Sequence, residues 1–130
     1  MILCSGAFDG VHSGHVAYLE AAARLDPSLP LVVAVAPDSY INQHKQRETR
    51  WTQHDRAIVV SALRPVTKVL LHDEPHVAAL IRTQRPTYFV KGVDWVGKLP
   101  EDVMAACVEV GAVMAFVHTE RTHCSATTWS

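Results

Sequence analysis

The stretch from Gly6 to His15, GAFDGVHSGH, constrains the fold more than any other part of the sequence. It follows an apolar run, Ile2 to Cys4, and precedes a segment with apolar residues at helical spacing, Val16 to Ala23. The stretch is therefore predicted to be a glycine-bearing turn between a strand and a helix. A helix N-terminus presents unpaired N–H groups and the positive end of the macrodipole. Because His12 and His15 add side-chain donors there, the turn is predicted to bind phosphate.

Strand-like and helix-like segments alternate along the rest of the chain. The clearest is LVVAVA, Leu31 to Ala36, a continuous apolar run typical of a strand buried on both faces. Further strands are predicted at 69–71, 87–90 and 113–117, and further helices at 75–84, at 100–110 and from Thr52 to the pair Arg64-Pro65. This alternation predicts an α/β fold: one Rossmann-like domain over 1–130, with a parallel sheet of about five strands and helices on both faces.

Two finer predictions concern the middle of the chain. The segment from Asp38 to Thr52 is polar and basic without a clear apolar period, so we expect a mobile loop with at most a helical turn after Ser39. In the helix that Thr52 starts, the apolar face is predicted to carry Ile58, Val59, Ala62 and Leu63.

Several polar segments follow the predicted strands. They lie at 9–15, from 38 onward, at 91–94 and at 118–128. In parallel sheets, ligands bind beyond the carboxyl ends of the strands, where the strand order reverses. We therefore expect these segments to converge on one edge of the sheet.

Composition narrows the classes of partner. With 12 Lys plus Arg against 13 Asp plus Glu, the chain is near neutral, so no extended nucleic-acid or membrane surface is expected and any anion site is a local cluster. The three cysteines are odd in number and lack CxxC spacing, which indicates reduced thiols in a cytoplasmic protein. The run His72-Asp73-Glu74 could bind a metal, but an exposed loop is the favoured interpretation, and the other histidines outside the HSGH turn show no ligand spacing.

Phe8 to His15, FDGVHSGH, resembles the FDxxHxGH signature of the HxGH nucleotidylyltransferase superfamily. Further features stand in the order that such enzymes show: Lys45 in a basic loop, Arg56 opening a helix, KGVDWVGK at 91–98 and RTHCSATT at 121–128. The resemblance implies a reaction in which a substrate phosphate oxygen attacks the α-phosphorus of a nucleoside triphosphate and releases pyrophosphate.

The resemblance also implies roles for individual residues. The catalytic set is His12 and His15 on the triphosphate, with Lys45 as a lid over the phosphates. The predicted nucleotide site comprises Gly6, Ala7, Phe8, Asp9, Gly14, Lys91, Gly92, Asp94, Trp95, Arg121, Ser125 and Thr127. The predicted acceptor site comprises Asp38 and Arg56, although a surface ion pair of Arg56 with Asp55 or Glu48 is an alternative. Mg²⁺ is expected with the nucleotide, because it is usually held by substrate phosphates and few protein ligands.

Two stretches of the chain resemble enzymes that use different nucleotides. Val90 to Gly92 with Asp94 is similar to heptose-phosphate adenylyltransferases, whereas DWVGK at 94–98 resembles the DWxGK of glycerol-3-phosphate cytidylyltransferases. DWVGK and Arg121-Thr122 favour CTP and a small phosphorylated polyol or sugar. ATP with a sugar 1-phosphate, or with FMN as in flavin adenine dinucleotide synthetases, is the alternative.

A second class of function is a nucleotide-binding domain with weak turnover. A short spacing between Arg121 and Ser125, and Ala126 where related chains often carry a hydroxyl, favour that class. We expect the final helix to be short or missing, and similar enzymes imply a homodimer.

Overall fold

Parallel strands form one sheet in the computed structural model, which describes residues 1–44, 47–73 and 76–119. The strands are β1 (Ile2–Gly6), β2 (Leu31–Val35), β3 (Lys68–Leu71), β4 (Tyr88–Gly92) and β5 (Val113–Val117). The helices are α1 (Ser13–Ala23), α2 (Asp38–His44), α3 (Gln53–Ser61), α4 (Ala78–Gln84) and α5 (Glu101–Val110), with a 3₁₀ turn at Val93–Trp95. The predicted α/β fold with a five-stranded parallel sheet is confirmed.

The strand order is β3-β2-β1-β4-β5, so the direction in which the chain adds strands reverses between β1 and β4. Ile2 of β1 is in register with Leu31 of β2 on one side and with Tyr88 of β4 on the other. The carboxyl ends of β1 and β4 therefore lie side by side at the switch point, where ligands of such sheets bind.

Helices cover both faces of the sheet, as predicted. Alternate side chains of β1 point to opposite faces, as in any strand. Ile2 and Cys4 pack in one buried cluster with Leu19 of α1 and Val60 of α3. Leu3 packs in the other cluster, which contains buried residues of α4 and α5: Ala78, Ile81, Val103, Ala106 and Cys107.

The prediction of a loop directly after β2 is wrong, because α2 occupies Asp38–His44. Only Ile41 of this helix is buried, at 0% exposure. One apolar anchor is too little to produce a helical period, which is why the sequence pattern did not reveal the helix. Asp38 in its first turn is favourably placed for the helix dipole.

The predicted apolar face of α3 is wrong at Ile58 and Val59, whereas Leu63, just beyond the helix, packs against the core as predicted. Ile58 and Val59 are 54% and 49% exposed, whereas Arg56 and Val60 are 1% and 0% exposed. The residues that face the core are four apart, but one of them carries a charge, so apolar periodicity indicated the neighbouring face. The predicted helix start is confirmed, since Thr52 Oγ1 accepts a hydrogen bond from the Asp55 amide.

The second half of the chain follows the prediction with small shifts of boundary. β4 runs to Gly92, which places Lys91 inside the strand, and α4 begins at Ala78. α5 ends at Gly111 in a left-handed conformation with φ 72°, as its sequence predicts. Within the described residues, none of the helices is long and apolar enough to cross a membrane.

Candidate active site

The first turn of α1 is capped by its own histidines. His12 Nδ1 accepts a hydrogen bond from the Gly14 amide at 3.0 Å, and His15 Nδ1 accepts one from the His12 amide at 3.1 Å. The two rings lie 4.1 Å apart between centroids. These bonds satisfy two of the amides that the N-terminus of a helix would otherwise leave unpaired.

This capping fixes the tautomer of both imidazoles. A ring nitrogen that accepts from an amide carries no proton, so in the neutral ring the proton is on Nε2. His12 and His15 therefore each present an N–H donor on the side of the ring away from the backbone. They can donate to an anionic oxygen without first being protonated.

Gly14 and Gly6 allow this arrangement of the turn because neither has a Cβ. A Cβ on Gly14 would lie 2.8 Å from His12 Cε1 and 3.0 Å from its Nδ1, so any side chain there would displace the capping ring. A Cβ on Gly6 would lie 2.9 Å from Cε2 of Phe8, whose ring is buried below the loop. Phe8 itself has φ 53°, a left-handed conformation that only tight surroundings impose on a non-glycine residue.

Lys91 brings a positive charge to the carboxyl end of β4. Its Nζ donates to the Ser5 carbonyl at 3.0 Å and lies 4.6 Å from the centroid of the Trp95 ring. Gly92 beside it makes room for Asp94 and Thr119, because a Cβ would lie 2.6 Å from Asp94 Oδ1 and 2.7 Å from Thr119 Cγ2. The end of β4 thus carries an ammonium, a carboxylate and an aromatic face.

α1 is fixed to β4 through a buried contact. The Tyr18 hydroxyl donates a hydrogen bond to the Val90 carbonyl. Burial raises the pKa of Tyr18, and it raises the pKa of Cys4 to about 12, so both groups stay protonated at neutral pH. This neutral contact holds the histidine-bearing turn at a set position relative to Lys91.

Asp9 organises the segment that follows residue 46. Its carboxylate accepts hydrogen bonds from the Arg47 guanidinium at 2.6 Å, from the Arg50 amide at 2.9 Å and from the Trp51 amide at 3.0 Å. Desolvation opposes ionisation, but these bonds together hold the pKa of Asp9 below its ordinary value. Asp9 is therefore a positioning residue within the described structure.

Arg56 fastens the same loop from the other side. Its buried guanidinium donates to the Ala7 carbonyl at 2.6 Å, to the Trp51 carbonyl at 3.0 Å and to Asp38 Oδ1 at 2.6 Å. Arg56 pairs with Asp38 rather than with Asp55 or Glu48.

A cavity of about 380 Å³ lies over the carboxyl ends of β1 and β4. At what we call the α1 end, it is lined by His12, Gly14 and His15. At what we call the α4–α5 end, it is lined by residues at the start of those helices: His76, Val77, Leu99, Pro100 and Val103. Because α1 and the pair α4 and α5 cover opposite faces of the sheet, the cavity crosses the sheet edge from one face to the other.

Comparison with known proteins identifies this arrangement. The model of the family described as cytidylyltransferase-like matches residues 3–128. The chain belongs to the cytidylyltransferase-like family. The predicted superfamily is thereby confirmed.

This cytidylyltransferase-like protein matches a small part of some relatives and most of others. Bifunctional protein HldE of Gluconobacter oxydans is 42% identical over 97 residues, which cover 73% of this chain and 20% of that protein. The chain thus spans about a fifth of the length of the HldE relatives that it matches. FAD synthase of Archaeoglobus profundus is 31% identical over 129 residues, which cover 97% of this chain and 81% of that protein.

A solved structure shares the fold. The lipopolysaccharide core biosynthesis protein of Thermoplasma volcanium superposes with a TM-score of 0.74 at 24% identity, covering 94% of this chain and 97% of that chain.

Most of the predicted nucleotide site converges on the cavity. The predicted residues that line it are Gly6, Ala7, Phe8, His12, Gly14, His15, Lys91, Gly92, Asp94 and Trp95. Asp9, Asp38 and Arg56 do not line it but hold the surrounding loops. Lys45, Arg121, Ser125 and Thr127 lie outside the described residues, so their predicted roles stay predictions.

Sequence reasoning missed the cavity wall opposite α1. His76 Nδ1 lies 2.9 Å from Asp102 Oδ2 and 3.0 Å from Oδ1, and His72 and Tyr40 also line the cavity. His76 and Asp102 are 26 residues apart. No local motif links them, and only the packing of α4 on α5 brings them together.

The donor set for Mg²⁺ is sparse in the part of the chain that the structure describes. No group of three His, Cys, Asp or Glu side chains in that part is placed to hold a metal ion. Asp94 is the one carboxylate among the described cavity residues. Such a set fits a Mg²⁺ ion that takes most of its ligands from substrate phosphates and water.

Proposed function

We propose that the protein transfers AMP from ATP to a small phosphorylated sugar and releases pyrophosphate. The observation that carries the proposal is the pair of imidazoles in the first turn of α1, which line one cavity with Lys91 at the switch point of the sheet. Such a cluster suits a polyphosphate, because neutral donors and a cation all favour anionic oxygens.

The reaction needs positioning and charge stabilisation rather than a protein nucleophile. A phosphate oxygen of the acceptor attacks the α-phosphorus of ATP, a new P–O bond forms, and the bond to the β-phosphate oxygen breaks in line with it. Pyrophosphate carries away the electron pair of that bond. His12 and His15 donate to the oxygens on which negative charge grows, and Lys91 offsets the charge of the phosphates.

When bound, Mg²⁺ would neutralise part of the triphosphate charge. Asp94, the one carboxylate among the described cavity residues, would be its protein ligand. Lys45 is proposed to close over the phosphates, as the family resemblance implies.

Two features support ATP as the donor. The VKG stretch at 90–92 resembles that of heptose-phosphate adenylyltransferases, and a relative that matches almost the whole chain is named for making FAD, a dinucleotide that contains adenylate. CTP, which DWVGK and Arg121-Thr122 favour, stays a prediction. A weakly active binding domain is the other prediction still to be tested, together with a homodimer.

The acceptor has two candidates. The 42% identity to HldE and the VKG resemblance favour a phosphorylated sugar. FMN is the second candidate, favoured by the match to FAD synthase over 97% of this chain.

The test has two stages. Calorimetric titration with ATP and with CTP, each with Mg²⁺, is expected to show tighter binding of ATP. Pyrophosphate release is then measured with each nucleotide against sugar phosphates, glycerol 3-phosphate and FMN. Release with ATP and a sugar phosphate supports the proposal, release only with CTP replaces its donor, and binding without release in every combination identifies a domain with lost turnover.

A further inference from the structure

We propose that His76, positioned by Asp102, selects a hydroxylated acceptor by accepting a hydrogen bond from one of its hydroxyl groups at the α4–α5 end of the cavity. This inference rests on the proposed nucleotidyl transfer and assigns the acceptor to the class of sugar or polyol phosphates.

The orientation of the His76 ring is set by two contacts of one carboxylate. Asp102 accepts from His76 Nδ1 at 2.9 Å, and its Oδ1 also accepts from the Val103 amide in the first turn of α5 at 2.9 Å. The carboxylate is therefore held by an amide of its own helix, and it orients the imidazole in turn. Because both side chains are partly exposed, 37% for His76 and 49% for Asp102, the pair contributes orientation more than stability.

The carboxylate decides which ring nitrogen carries the proton. An ionised carboxylate only accepts, so Nδ1 of His76 is the donor, and in the neutral ring Nε2 is a lone-pair acceptor. This is the reverse of His12 and His15, whose Nε2 atoms are donors. A hydroxyl group can donate to Nε2 of His76, whereas a fully ionised phosphate cannot.

The one described positive charge of the cavity wall indicates where the phosphate of an acceptor binds. Lys91 is the one Lys or Arg among the described lining residues. It follows Val90, which packs on the α1 face, so its side chain lies on the face that α4 and α5 cover, over the ring of Trp95. The phosphate of an acceptor is therefore drawn toward Lys91 and the α-phosphorus. Its uncharged part then lies at the α4–α5 end, where His76 is a polar group in a wall that also contains Val77, Leu99 and Val103.

The variants that test this are His76→Ala, His76→Gln and Asp102→Asn, with Glu101→Gln as the matched control. The control neutralises the neighbouring exposed carboxylate in the same turn of α5. His76→Ala is expected to raise the KM for a sugar phosphate about tenfold, a typical cost of losing one hydrogen bond, with kcat and the KM for ATP little changed. Asp102→Asn offers Nδ1 an amide donor, which reverses the tautomer, and should raise the same KM. Glutamine, whose amide oxygen can accept near the position of Nε2, should restore part of the loss.

Acceptor analogues give the decisive readout. Against the wild type, a sugar phosphate that lacks the recognised hydroxyl is expected to show the same rise in KM as His76→Ala, and the two changes together should cost no more than either alone. Unchanged acceptor KM in the His76 variants overturns the inference while leaving nucleotidyl transfer in place. No pyrophosphate from any acceptor with the wild type means that the proposed function fails, and the inference with it.

Discussion

At the α1 end of the cavity, the ring nitrogens of His12 and His15 accept hydrogen bonds from main-chain amides, whereas at the α4–α5 end Nδ1 of His76 donates to a carboxylate. Both devices fix a tautomer by occupying Nδ1. They leave opposite chemistry on Nε2, a donor in the first case and a hydrogen-bond acceptor in the second.

The two ends also differ in how far apart in the sequence the hydrogen-bonded residues lie. The α1 device is contained in four consecutive residues, HSGH, and its partners are amides that any helix N-terminus supplies. The α4–α5 device joins His76, just before α4, to Asp102 of α5 across 26 residues, and it depends on the packing of these helices. We infer that the first end sets the reaction and that the second sets which acceptor enters it.

The strongest way to break this comparison is to remove the donor at the α1 end. His15→Ala is expected to lower kcat by roughly two to three orders of magnitude, as loss of a charge-stabilising donor does, because His15 Nε2–H is assigned to the transition state. The measurement is steady-state pyrophosphate release, with circular dichroism to confirm the fold.

His15→Asn separates catalysis from capping. The Asn side-chain oxygen can take the place of Nδ1 and accept from the His12 amide, but nothing replaces Nε2–H. We expect the thermal stability of the wild type together with the low kcat of His15→Ala. An Asn variant with normal turnover would mean that His15 only caps the helix.

A smaller effect is expected from Gly14→Ala. The new Cβ would meet the His12 ring at 2.8 Å, so the ring must move and its donor with it. A displacement of this size is expected to lower kcat roughly tenfold to a hundredfold. Stability should change little, because alanine gains about 1 kcal/mol of helix propensity over glycine. Ser13→Ala, at the exposed neighbouring position, is the control and should leave turnover unchanged.

The smallest effect is expected for Asp9→Asn, a change outside the cavity that tests stability rather than turnover. Asp9→Asn weakens the bonds to the Arg47 side chain and to the Arg50 and Trp51 amides, and should lower the free energy of unfolding by about 1–2 kcal/mol. Because the pKa of Asp9 is lowered in the folded state, its contribution is present above the ordinary Asp pKa of about 3.9 and is lost as the pH falls further.

Urea unfolding of the wild type and of Asp9→Asn at pH 7 and at pH 3 checks this expectation. The gap between the two proteins should be wide at pH 7 and narrow at pH 3. A gap that does not depend on pH would show that the carboxylate charge contributes nothing.

The errors of sequence-based prediction share a cause. The face of α3 was misassigned because Arg56 is buried by an ion pair with Asp38, which lies in another helix, and hydrophobic patterning scores a buried charge as exposed. α2 was missed because it has one buried residue, Ile41. In both cases tertiary contacts, rather than local preference, decide what the segment does.

The sequence by itself determined the alternation of strands and helices, the glycine-bearing turn before α1 and the family, because these depend on local periodicity and on a motif of neighbouring residues. Only the tertiary structure decided the tautomers of the histidines, the buried role of Arg56 and the pairing of His76 with Asp102. The physical reason is that hydrogen bonds and ion pairs form between groups close in space, and a strand order of β3-β2-β1-β4-β5 brings together residues that the sequence holds far apart.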